Sequence, residues 1–472
     1  MTKASAHDIQ LPQQISNWLA RTDIFLLCFL LLFTVDSVVL KPVALAGALI
    51  YLWRRLPQLK YRDVPLFYLL IPTMEVLRFF LFNQDFSAGH VVAWTIGICY
   101  WLMAYGAFLI VRFRTEYSGG DKITGTLTTW FFINAAYSLW QLLMTMLHAG
   151  SINPYDVTDP AYGNSTGDYI KGLMLAPCYL NMFVNSFFAV WFLYQRKWGQ
   201  AFLATLICCL TTTNFANIIF LPVLLLLLFV LKERKARLTI LASVSLFLLF
   251  NTFISKGNFV YLGQSVNNTT GRPSVTLNPG DDPADRDSIL RSRREIAATY
   301  DRVARPNGKM LSWKETWAYA SATPMHALAG AGMGNFSSLL ALHMAHIYGR
   351  SHSRFYERMP EYVHPAYRAN HYQIMKDVYA LPEGYHSARH MPHSFPNQLF
   401  GEYGLIGLLF FVIGYVWYFL KRGGGRGFFL IIMILTGGYL WFDYLFEYLS
   451  VMVFFELFFW RHRSGNKANA HA

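Results

Sequence analysis

Long apolar blocks, mostly of about 16–25 residues, alternate with short polar links along this chain. A bilayer core about 30 Å thick takes about 20 apolar residues per helix. Backbone polar groups have no partner in lipid, so such blocks must be helical. The ~10-residue alternation of a membrane barrel is absent. The pattern predicts about twelve spans: 24–40, 42–53, 65–83, 89–112, 123–148, 170–194, 199–212, 214–231, 238–254, 397–420, 427–442 and 446–460. The pairs 24–40/42–53 and 199–212/214–231 have almost no link, so each is either a tight hairpin or one broken helix. The N-terminus is polar up to Asp23 and shows no small-residue cleavage site, so the first block reads as a retained helix.

The links orient the spans. Arg54, Arg55, Lys60 and Arg62, then Arg112, Arg114 and Lys122, then Arg196 and Lys197, then Lys232, Arg234, Lys235 and Arg237, then Lys421, Arg422 and Arg426, then Arg461, Arg463 and Lys467 all fall on one face if the spans alternate. Cytoplasmic loops carry this excess of Lys and Arg. Both termini are then expected in the cytoplasm, with 84–88, 149–169, the long loop 255–396 and the turn near 443–445 on the other side. The expected division is 1–254 (nine helices), 255–396 (a large periplasmic loop) and 397–472 (three helices and a cytoplasmic tail).

Composition agrees. Of 472 residues, 54% are hydrophobic and only 14% charged, against roughly a quarter charged in soluble chains. A net charge of +13 would suggest nucleic acid in a soluble protein, but here much of it sits in short links, so no nucleic-acid partner is expected. Cys28, Cys99, Cys178, Cys208 and Cys209 all lie in apolar blocks, which leaves the long loop without a disulfide framework and the chain without zinc-type spacing. No phosphate-binding P-loop or dinucleotide motif occurs, and His343 and His346, three apart, lack a carboxylate in register. Neither a metal nor a cofactor is expected.

The loop 255–396 is too long for a passive link. It holds nine of the fourteen histidines, and sixteen Lys or Arg against eleven Asp or Glu. Residues 263–287 read as irregular, and 286–304, 311–321 and 336–348 as helices. The basic excess suits an anionic ligand such as a diphosphate. Arg286, Arg291, Arg293, Arg294, Arg302 and Arg305 form one cluster that either binds such a ligand or pairs with Asp287, Glu295 and Asp301 on a solvated face. Inside the apolar blocks, Glu75 and Arg78 are three apart and read as a structural ion pair, or as groups facing a cavity. Asp36, Lys41, Asp443 and Glu447 lie near span ends, and buried ionisable groups there are functional candidates.

The stretch HSFPNQLFGEYGLIG, His393 to Gly407, sets a histidine at the water–membrane boundary, where a lipid-linked substrate presents its headgroup. An imidazole can take a proton from an attacking hydroxyl. On position alone, a boundary histidine hydrogen-bonded to a loop is the favoured reading. Gly404 and Gly407, three apart, permit close helix contact. Upstream, SWKETWAYASATPMHALAGAGMGNF carries Trp313, Pro324, Gly330, Gly332, Gly334, Asn335 and Phe336. That glycine run reads as a tight connection, with an amide nest for phosphate as the alternative.

His393 with ten residues before Gly404, Glu402 two before that glycine, and the Trp–Pro–Gly-x-Gly-x-Gly-Asn-Phe segment together resemble the O-antigen ligase and polymerase family. The resemblance covers roughly residues 200–420. It implies metal-independent transfer of a glycan from undecaprenyl diphosphate to an acceptor hydroxyl at the periplasmic face of a bacterial inner membrane. It makes His393 the catalytic residue, Lys309, Arg286 and Arg305 the candidates for holding the diphosphate, and Glu402, Gly404 and Asn214 supporting residues. Asn214 stands where the family often has Arg, and Lys309 stands ahead of Trp313 where Arg is usual. A lysine binds phosphate as a point charge without the bidentate fork of arginine.

The reading is therefore an all-α polytopic membrane protein with about twelve transmembrane helices and a large helical extracytoplasmic loop. Its partners would be the bilayer, an undecaprenyl-diphosphate-linked glycan and an acceptor, either lipid A–core (a ligase) or the next lipid-linked repeat unit (a polymerase). The competing readings are a transporter or flippase of lipid-linked saccharide, which usually shows internal repeats absent here, and a non-catalytic envelope scaffold.

Overall fold

The computed structural model describes residues 18, 20–55, 65–82, 85–156, 166–175, 177–211, 216–255, 308–347, 354–380, 391–422 and 426–470. Arg286, Arg305, Asn214 and the expected helix 286–304 lie outside them. Among the described residues the chain is helical throughout, with no strand.

Each of the twelve apolar blocks coincides with a helix. The first nine are α1 (Ile24–Phe33), α2 (Leu40–Leu52), α3 (Phe67–Phe82), α4 (Ala88–Tyr117), α5 (Gly120–Ala149), α6 (Cys178–Tyr194), α7 (Trp198–Leu210), α8 (Leu221–Val230) and α9 (Arg234–Leu249). A π turn, Ala216–Phe220, leads into α8, and another, Phe250–Ile254, extends α9. Short helices follow: α10 (Gly308–Ala322), α11 (Pro324–Ala329), α12 (Leu339–Met344), α13 (Arg354–Glu357), α14 (Pro365–Asn370) and α15 (Tyr372–Tyr379). The chain closes with α16 (Phe395–Phe411, running on to Arg422), α17 (Arg426–Phe442) and α18 (Leu449–Ala470).

Among the described residues, three helices, Ala88–Tyr117, Arg234–Ile254 and Phe395–Arg422, are long and apolar enough to cross a bilayer alone, and seven more are shorter apolar helices. Side chains such as Ile50, Phe80, Phe229, Leu248, Leu405 and Ile413 face outward, each at least half exposed. Soluble proteins do not expose apolar surface on this scale. Over its described residues the chain is all-helical, and its apolar helices are those of a membrane protein.

Several boundaries depart from the apolar blocks. Helix α1 stops at Phe33, not residue 40, because Val35–Leu40 turns back: the Asp36 amide bonds Met174 O at 2.7 Å and Ser37 Oγ accepts from Leu40 N at 3.2 Å. Helices α1 and α2 then pack together as a hairpin. The block from 170 becomes α-helical only at Cys178, after a 3-10 turn at Gly172–Met174, Gly172 and Leu175 at positive φ, and Pro177. Asn134 and Asn181 clasp that irregular stretch, with Asn134 Nδ2 donating to Asn181 Oδ1 and Leu173 N to Asn134 Oδ1, both at 2.9 Å.

The polar ends of the helices segregate. Arg55, Arg114 and Lys122 surround Asp23 at one end, where Arg114 pairs with Asp23 at 2.6 Å. Helix α5 runs from that end to Ala149, and Asn153 just beyond it bonds Ile254 O at the end of the π turn that extends α9. The hairpin bend at Asp36 also lies away from the basic end.

Candidate functional site

The site is built at the head of α16. Pro396 suits the first turn of a helix, where its missing N–H costs nothing. The Phe395 amide bonds Asp443 O at 3.1 Å, which ties this head to the turn after α17. Two residues earlier, His393 is 4% exposed. Its ring stacks on Tyr444 with centroids 4.5 Å apart. Its Nδ1 lies 3.5 Å from Asp443 Oδ1, and its Nε2 lies 2.9 Å from the Tyr379 hydroxyl at the end of α15. A carboxylate behind Nδ1 favours the tautomer with its proton there and leaves Nε2 as the acceptor, the arrangement of a general base.

Lys309, in the first turn of α10, is brought to His393 but not as an exposed cation. Its ammonium donates to the His393 carbonyl and, at 3.1 Å, to Phe442 O, while lying over the Phe442 ring. Burial pulls its pKa down to about 7 against the opposing pull of Asp443. Trp313, one turn on, stacks on Trp441.

A second polar knot fixes α10 against α14, α15 and α16. His371 Nε2 lies 3.0 Å from Ser312 Oγ, which also accepts from Asn397 Nδ2 at 2.5 Å. His371 is fully buried, and burial holds its pKa down at about 4, so it stays neutral.

The glycine run is a tight connection. Ala331 N donates to Gly401 O and Gly332 N to Glu402 O, both at 2.8 Å, so these amides are spent on α16. Gly330, Gly332 and Gly334 all have positive φ. Gly404 does not continue the helix: at φ 62° and ψ −158° it kinks α16, and a Cβ there would sit 2.4 Å from the Leu328 carbonyl. Helix contact through Gly404, expected from its spacing to Gly407, is thus backbone on backbone at a break. Glu402 accepts from Phe336 N at 3.4 Å. The pair Glu75–Arg78, 3.9 Å apart within α3, serves the same junction: Arg78 donates to Ala329 O at 3.1 Å and Glu402 O at 3.4 Å, and Glu75 accepts from Met333 N at 3.2 Å. His343 stacks on Tyr356, and His346 Nε2 lies 3.0 Å from Tyr356 O.

On the other side of the α16 head lies a cavity of about 1020 Å³. Leu45, Leu49, Trp101 and Leu102 give it apolar walls, and Val38, Val39 and Leu102 are exposed at its edge. Its polar groups include the Asp36–Lys41 ion pair, Glu402, and Glu447 bonded to Gln398. Phe395 lines it; His393 does not.

The sequence did not point to Tyr379, Tyr444 or His371, whose neighbours are far along the chain. Asp443 stood out as a charge at a span end, but not as the partner of His393. No family model, curated protein or solved structure matches the chain.

Proposed function

We propose that the chain is a metal-independent membrane glycosyltransferase of the O-antigen ligase or polymerase type, moving a glycan from undecaprenyl diphosphate to an acceptor hydroxyl. The observation that carries this reading is the series Asp443–His393–Tyr379 at the head of α16, a buried imidazole with a carboxylate at one nitrogen and a hydroxyl at the other. In such a transfer His393 accepts the acceptor's proton as the diphosphate leaves. General-base assistance of this kind contributes typically 10²–10⁴-fold.

The lipid chain of the donor is assigned to the cavity, whose apolar walls and exposed apolar edge suit a polyprenyl tail. Arg286 and Arg305 remain the proposed holders of the diphosphate, with Lys309 fixing the His393 backbone. The proposed setting is a bacterial inner membrane crossed about twelve times, with both termini cytoplasmic and the site periplasmic. The same cavity would also suit a flippase of lipid-linked saccharide, the second reading.

The test is the lipid-linked glycan pool in cells carrying His393→Ala, beside wild type and a deletion. Build-up of full-length undecaprenyl-linked chains in both mutants is expected for a ligase. Single repeat units that fail to lengthen are expected for a polymerase. An unchanged profile in His393→Ala, with a disturbed one in the deletion, would move the flippase or a scaffold ahead.

A further inference from the structure

His393 is buried, so an acceptor hydroxyl does not meet its Nε2 directly. What stands 2.9 Å from that nitrogen is Tyr379 Oη. Tyr379 ends α15 and is half-buried, whereas the imidazole it bonds is buried, so the phenol is the less enclosed member of the pair. The opposite nitrogen of the same ring faces Asp443, which compensates a positive charge arising on the imidazole.

We propose that Tyr379 is a second catalytic residue, a proton relay between the acceptor and His393; this rests on the reading of His393 as the base. The acceptor hydroxyl gives its proton to Tyr379 Oη while the phenol's own proton passes to His393 Nε2. The freed electron pair on the acceptor oxygen forms the bond to the anomeric carbon of the donor glycan. The bond from that carbon to the diphosphate oxygen breaks, and the diphosphate leaves with the pair. Tyr379 ends neutral, and the imidazolium is held by Asp443. A relay through a fixed phenol also explains why the base can be so deeply enclosed: only the Tyr379 oxygen has to meet substrate.

The pair is faced by Lys309 from α10, His371 at the start of α15, and Asp443 and Tyr444 from the turn after α17. These groups are common to every variant at position 379, so a pH difference among those variants reports on the phenol.

The experiment uses the purified full chain with membranes of a deletion strain as the source of donor and acceptor. Initial transfer rates are compared for wild type, His393→Ala, Tyr379→Phe and a chain with 3,5-difluorotyrosine at 379. The relay predicts a loss of about 100-fold or more in both His393→Ala and Tyr379→Phe, with the Tyr379→Phe melting curve like wild type. The fluorinated phenol, more acidic but of nearly the same shape, restores the rate and moves the pH profile toward acid. A Tyr379→Phe chain that transfers at the wild-type rate or faster while His393→Ala is dead would overturn the relay and leave the base assignment standing. If Tyr379→Phe misfolds, an unmoved pH profile in the fluorinated chain overturns it instead. Transfer at full rate by His393→Ala would remove the base, and the relay with it.

Discussion

His371 shows how a single buried side chain makes this fold sensitive to acid. Its folded pKa of about 4 lies below the ordinary value of 6.5, because burial penalises the imidazolium. Between those two values the unfolded chain binds the extra proton and the folded chain does not. Stability is therefore fully present above pH 6.5 and is lost as pH falls toward 4, by up to about 3 kcal/mol. His364, also held near 4 chiefly by burial, contributes in the same window. The expected outcome is a melting midpoint that drops on acidification over this range, with a shallower slope in His371→Gln; an unchanged slope would remove His371 from the account. Lys309 works in the alkaline range with the sign of a depressed base: stability rises from about pH 7 toward 10.5, as the unfolded chain releases the proton that the folded one already lacks. None of this was legible in the sequence. His371 looked like one of nine loop histidines, and only the fold brings Ser312 to it and Asn397 to Ser312 from distant positions.

At the scale of elements, the decisive joint is where the segment 330–336 docks on the kink in α16. Gly404→Ala would force a side chain into positive φ and against the Leu328 carbonyl. Strain and overlap together should cost about 2–5 kcal/mol. A thermal melt of the detergent-solubilised variant checks this, and a cost below about 1 kcal/mol would mean that the kink relaxes freely. The helices themselves were largely readable, since lipid leaves apolar blocks no other conformation. What was not readable is where they stop. Residues 34–39 are apolar enough to extend α1, yet the chain turns there, with Ser37 Oγ accepting from Val39 N and Leu40 N. The third loop helix, expected over 336–348, shrinks to Leu339–Met344 because Ser338 caps it by accepting from Ala341 N. The histidine–glycine spacing around His393 and Gly404 was visible as a motif. Its meaning as a break in the helix was not, since composition does not specify φ.

Over the whole molecule, basic and loop ends separate, and the orientation can be read chemically. Ile152, 90% exposed beyond α5, belongs to the loop end, and Glu233, before α9, belongs to the basic end beside Arg196. In spheroplasts, a membrane-impermeant maleimide should label Ile152→Cys above the background of native cysteines and should label Glu233→Cys only after permeabilisation; the reverse pattern would invert the proposed topology. The edge of the cavity by α2 and α4 has a kinetic corollary. Exposed Val38, Val39 and Leu102 stand where a bilayer would meet the cavity, so its proposed occupant arrives from a two-dimensional solution. Turnover then follows the mole fraction of donor among lipids and not its amount per volume. Diluting a fixed quantity of donor with inert phospholipid slows the protein, whereas adding buffer leaves it unchanged.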